Sequence, residues 1–177
     1  MAKSEKQKLK LLYIIQCLME KTDEEHAVTT QEIIDYLALQ GITAERKSIY
    51  TDIDLLIDFG MDIIKKPGRS GGYTLASRQF ELAELKLLVD AVQSSKFITT
   101  KKSRELIGKL ETLCSKYEAT QLHRQVVVTN RNKAINENIY YNVDIIYNAI
   151  AENVKIQFQY FEWNVSKEMK LRRDGKI

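Results

Sequence analysis

Residues 61–76 read MDIIKKPGRSGGYTLA, and no other stretch of the chain constrains the fold as tightly. It holds the single proline and three of the seven glycines. Two short β-prone runs, 63–66 and Tyr73–Leu75, flank these breakers, so the pattern predicts strand, turn, strand. A glycine-rich loop carrying Lys65, Lys66 and Arg69 has a second reading, a phosphate cradle. A P-loop, however, needs Gly-Lys-Ser/Thr and then a helix, and a dinucleotide loop needs a helix N-terminus facing the pyrophosphate. Here a strand follows the loop, which removes both. The basic residues are left at the tip and flanks of a hairpin.

Three amphipathic segments precede the hairpin. KLKLLYIIQCLME places apolar pairs at Leu11/Leu12, Ile14/Ile15 and Leu18/Met19, the spacing of a helix. DEEHA breaks it. Its three acids and one histidine are neighbours on a loop with no second ligand group, so they do not read as a metal site. VTTQEIIDYLALQG gives a second helix, capped by Thr29 or Thr30, with Glu32 in its first turn and Gly41 as its stop. ITAERKSIYTDIDLLIDFG gives the third, with Thr43 as its expected cap. Ile49, Ile53, Leu56 and Ile57 share one face and predict a buried stripe.

The opposite face of the third helix is graded. Lys47, Tyr50 and Thr51 lie towards its start, beside Arg46 and Ser48, and Asp54 and Asp58 lie towards its end. A helix that enters a major groove N-terminus first needs this order, because donors and the positive end of the helix dipole then meet phosphates and base edges. An ordinary solvated helix face is the plainer reading of the same residues. The order of elements adds weight: three helices and then a two-stranded hairpin make a winged helix-turn-helix.

The stretch ERKSIYTDIDLLIDFGMDI, followed by GRSGGYTL, resembles the DNA-binding domain of bacterial transcription regulators of the DeoR-like winged-helix type, as found in WYL-domain regulators. Arg46, Lys47, Ser48, Ile49, Tyr50, Asp52, Ile53, Gly60, Gly71, Gly72 and Tyr73 carry the likeness, which covers residues 1–78. It implies a recognition helix in which Arg46, Lys47, Ser48, Tyr50 and Thr51 meet double-stranded DNA. It also implies a wing in which Lys65, Lys66 and Arg69 hold the flanking backbone or minor groove. Such domains usually work as homodimers. A winged helix used for protein interaction, without DNA, is the alternative. The balance of charge keeps it open, since residues 1–78 carry 11 basic and 12 acidic side chains.

Beyond the hairpin the pattern is helical. FELAELKLLVDAVQSSKF places Leu82, Leu85, Leu88, Val89 and Val92 on one side. ITTKKSRELIGKLETLCSKYEA reads as one further helix after a Thr99 or Thr100 cap. Its stripe of Ile107, Leu110, Cys114 and Tyr117 is a seam, either within the chain or between two copies. Residues 96–133 hold 9 basic and 3 acidic side chains, read as a solvated helical face. LHRQVVVTNRNKAINENIY has no clear period and reads as a short strand and a linker. A helix at YYNVDIIYNAIAENV and strands at KIQFQYFEW and SKEMKLRR close the chain. This end resembles the opening of the WYL effector domain. The Asp-Gly of RRDGKI is a hairpin signal with almost no return strand after it, so the chain is expected to be a fragment of a longer regulator.

The organisation expected is therefore mainly α with small β: a winged helix-turn-helix over 1–78, a helical linker or dimerisation region over 79–135, and an incomplete α+β start of an effector domain over 136–177. The effector is unknown. Cys17 and Cys114 lie in apolar-periodic contexts and read as reduced core thiols of a cytoplasmic protein. No apolar run approaches the ~20 residues of a membrane span. No Ser-His-acid set, metal cluster or nucleophilic cysteine pattern is present, so neither an enzyme nor a cofactor is expected.

Overall fold

The computed structural model describes residues 5–68, 71–125, 133, 138–159, 161–166 and 168–171. The chain divides into two units, Met1–Lys133 and Ala134–Ile177. The fold is mainly helical with small two-stranded sheets, and its N-terminal part is a winged helix.

In the first unit a 3-10 turn, Glu5–Leu9, leads into α1 (Lys10–Lys21). The second helix, α2 (Thr30–Leu39), opens on a capping box: Thr29 Oγ1 accepts from the Glu32 N–H, and Glu32 accepts from the Thr29 N–H at 2.7 Å. Two orphan helix donors are satisfied by that exchange. Gly41 turns the chain at φ +75°, and α3 (Arg46–Asp58) follows. Its N-cap is Glu45, not Thr43, so Arg46 is its first residue. Thr43 lies two residues before that cap, and its carbonyl accepts from Gln7 Nε2 at 2.9 Å.

The hairpin is β1 (Ile63–Lys65) and β2 (Tyr73–Leu75), antiparallel, with Ile64 opposite Thr74. Lys66 and Gly72 prolong the ladder through a reciprocal pair of hydrogen bonds. Tyr73 also exchanges backbone hydrogen bonds with Val28, just ahead of α2. That bridge requires Gly72, because a Cβ there would lie 2.3 Å from the Val28 carbonyl oxygen. The wing is thus stitched to the start of α2 as well as to α3.

One core joins these elements. Ile14 and Leu18 of α1, Ile33 and Leu37 of α2, and Ile49 and Ile53 of α3 are fully buried, with Ile63, Tyr73 and Leu75 of the wing against them. Each such side chain contributes about 1.5–3 kcal/mol by leaving water. A second core follows in the same unit, built by α4 (Leu82–Ser94), α5 (Thr100–Glu111) and α6 (Lys116–Gln125) around Leu85, Val89, Ile107, Cys114 and Leu122.

The single helix expected over the Thr99–Tyr117 stretch is two, because Ser115 starts a new one. Its Oγ accepts from the Glu118 N–H, and Glu118 Oε2 accepts from the Ser115 N–H. The stripe of Ile107, Leu110 and Cys114 packs in this second core. Both cysteines are buried and free, and burial pushes each thiol up to about 11. The short strand expected after Leu122 is, through Gln125, the end of α6; the rest of it lies outside the described residues.

The second unit contains α7 (Ile139–Ala151) and a hairpin of β3 (Phe161–Trp163) and β4 (Met169–Leu171). Among the described residues of KIQFQYFEW, only Phe161–Trp163 are strand, and the Asp-Gly signal lies outside the described residues. Among the described residues, no helix is long and apolar enough to cross a membrane.

Candidate nucleic-acid interface

The outer face of α3 forms as its period dictates. Arg46, Lys47, Tyr50, Thr51, Asp54 and Asp58 are all exposed, while Ile49, Ile53 and Leu56 are buried beneath them. No side chain caps the N-terminus of α3, in contrast to α2. The first N–H groups of a helix carry a partial positive charge and seek an acceptor. Arg46 and Lys47 add two full charges at the same end.

Arg46 Nη2 donates to Gln31 Oε1 at 3.3 Å, which ties the start of α3 to the first turn of α2. Gln31 is exposed and belongs to this surface. Its place followed from the Thr29 cap, since both helices present their N-termini together, yet its side chain carries no charge to mark it. Tyr50 is 47% exposed and lies one turn along the helix from Arg46 and Lys47. Thr51 donates its hydroxyl back to the Lys47 carbonyl at 3.3 Å, which leaves its oxygen lone pairs as acceptors on this exposed face.

Ser48 sits differently. It is half-buried and accepts a 2.5 Å hydrogen bond from Lys10 Nζ, whose ammonium also pairs with Asp52 at 2.6 Å. Asp52 is buried, and its Oδ2 has this ion contact as its partner but no well-directed hydrogen bond. Lys10 therefore fastens α1 to the inner side of α3. Ser48 retains its own O–H as a donor.

The wing cations do not act as one group. Side chains alternate across a strand, so Lys65 and Lys66 point to opposite faces of the hairpin. Lys65 turns to α3 and pairs with Asp54 at 2.5 Å; both side chains are more than half exposed. The hydrogen bond to Asp54 raises the Lys65 pKa. Such a pair is weak in water, and it cancels the first carboxylate of the recognition face. Lys66 turns the other way and donates to the Glu24 carbonyl at 2.9 Å. Arg69 lies outside the described residues.

The DEEHA loop is a structural clasp. Asp23 Oδ1 accepts from the His26 ring Nδ1 at 2.7 Å and from the His26 N–H at 2.8 Å, and its Oδ2 accepts from Ser115 Oγ at 2.6 Å. His26 stacks on Tyr117 with ring centroids 3.7 Å apart. Among the described residues, no three His, Cys, Asp or Glu side chains are grouped to hold a metal ion.

The family described as FokI, D3 domain matches residues 12–68. That match runs from α1 through α3 and into the wing, and so covers the elements that build this surface. It is a different family from the regulators that the sequence resembles. No curated protein and no solved structure matches the chain.

Proposed function

We propose that the chain is a sequence-specific DNA-binding transcription regulator that docks α3 in the major groove. The observation that carries the reading is the uncapped N-terminus of α3, which presents Arg46, Lys47, Tyr50 and Thr51 outwards while Lys65 neutralises Asp54 behind them. The likeness of residues 12–68 to the FokI D3 domain, a DNA-binding, winged-helix-like domain, supports it independently.

In this reading Arg46 or Lys47 donates to guanine in the major groove, and the free N–H groups of α3 take a phosphate. Lys65 leaves Asp54 for the flanking backbone, which costs little because the pair is exposed. Arg69 holds the same backbone from the wing. Two copies bind paired half-sites as a homodimer.

The test is a gel shift on the gene's own upstream DNA at two salt concentrations. Arg46→Ala and Lys47→Ala are expected to weaken binding and relax base preference. Arg69→Ala is expected to weaken all sequences alike and to reduce the salt slope by about 0.9. Unchanged affinity and slope in all three variants would overturn the reading. It would then favour the protein-interaction alternative, for which Leu39 and Phe59, both 82% exposed, provide apolar anchors.

A further inference from the structure

The face of the wing turned away from α3 does not look onto open solvent. Ile64, Lys66 and Thr74 of that face form one wall of a cleft of about 750 Å³. Phe80 just ahead of α4, Leu82 at its start, Tyr117 of α6 and the Asp23–His26 loop also line it. A cleft of this size accommodates a small metabolite.

Two polar groups on its lining are buried without partners. Thr74 is 3% exposed, and its Oγ1 has no hydrogen bond. Arg78 is held rigidly by its Nη2, which donates to the carbonyls of Met19 and Thr22, while its buried Nη1 has no acceptor. Both residues hang on Thr22, since its Oγ1 accepts from the N–H of Leu75, the neighbour of Thr74. A buried donor without an acceptor has lost its water and gained nothing in return. An acceptor bound in the cleft would remove that cost.

Glu24, Glu25 and Glu81 line the same cleft and are exposed. A simple anion would satisfy Arg78 and Thr74 but would be repelled by these carboxylates. A simple cation would suit the carboxylates and leave the buried donors empty. A zwitterion meets both demands. Ile64, Phe80 and Leu82 offer an apolar surface to a side chain between its charged ends.

We propose that this cleft binds a small zwitterion with an apolar side chain, of the α-amino acid class. Its carboxylate accepts from Arg78 Nη1 and Thr74 Oγ1, and its ammonium faces Glu24, Glu25 and Glu81. Because Lys66 and Thr74 belong to the hairpin, an occupant would stiffen the wing. Any effect on DNA rests on the function proposed above, whereas ligand binding does not and is measured without DNA.

The probes are L-leucine and L-phenylalanine, each compared with its N-acetyl derivative and with the amine lacking the carboxylate, titrated against the full chain by amide NMR. At least one amino acid should shift the amides of Thr74, Leu75 and Arg78, with both analogues binding at least about tenfold more weakly. Thr74→Val should keep the folded spectrum and lose about tenfold in affinity. The surface double variant Glu24→Gln/Glu25→Gln, which leaves the buried donors intact, should also weaken the amino acid but not the amine-blocked analogue. Absence of shifts with both amino acids, equal binding of the analogues, or unaltered affinity in both variants would overturn the proposal.

Discussion

Lys10 reaches across from α1 to Ser48 and Asp52, and both members of the ion pair are nearly out of water, at 14% and 11% side-chain exposure. Removing one partner strands the other charge. Asp52→Ala is expected to destabilise the protein by about 3 kcal/mol, while Lys10→Met with Asp52→Leu should recover most of that loss. Urea unfolding of the three proteins checks both parts. Asp23 makes a pH-dependent contribution. Burial alone would raise its pKa, but the Ser115 hydroxyl and the His26 side chain and N–H together hold it below the ordinary 3.8. A depressed carboxylate pKa stabilises the fold above the unfolded value, and that stability is lost as pH falls through the folded value. The acid limb of the stability curve should therefore steepen below pH 3.8 and flatten in Asp23→Asn, as read by urea unfolding across that range. At this scale the sequence was legible where a residue's exposure follows from its own helix period, as for Lys47, Tyr50 and Thr51. Partners distant along the chain left no local trace: Lys10 is 38 residues from Ser48, and Ser115 is 92 from Asp23.

Elements were legible where apolar period and breakers agree, and the wing shows both the reach and the limit of that. The strands and their turn follow from Gly, Pro and β-prone runs. The separate duties of the glycines do not. Gly68 stands at φ +112°, a conformation that suits a residue without a Cβ, whereas Gly72 is needed for close approach. Gly72→Ala would drive a Cβ into the Val28 carbonyl and break the Val28–Tyr73 bridge. A loss of about 2–3 kcal/mol is expected, with faster amide exchange at Val28 and Tyr73 as the local sign. The division between α5 and α6 was also readable, since Ser115 and Glu118 have the spacing of a capping box. The continuing stripe of Ile107, Leu110, Cys114 and Tyr117 concealed it. Hydrophobic period persists through a tight turn when both helices pack on one core, so a stripe alone does not measure helix length.

Across the first unit, two cores meet through polar contacts. The winged-helix core ends at Leu75, and the second core begins at Leu85. Between them run the Asp23–Ser115 bond, the His26–Tyr117 stack and the Arg78 bonds to Met19 and Thr22. Each core has its own helices and its own buried aliphatic residues, so each is a candidate unit of local unfolding, and the polar clasp sets how closely their openings are coupled. Removing Asp23 takes three bonds from the first core's loop and one from Ser115, whose carbonyl, amide and hydroxyl still serve α6. In the full chain carrying Asp23→Ala, which leaves the Ser115 cap of α6 in place, hydrogen exchange should accelerate more for the amides of α4, α5 and α6 than for those of α1, α2 and α3. The asymmetry follows from size, because the first core also buries the wing, while the second rests on three helices with fewer fully buried side chains. Equal acceleration in both sets would mean that the unit opens as one, and that the clasp adds stability without dividing it.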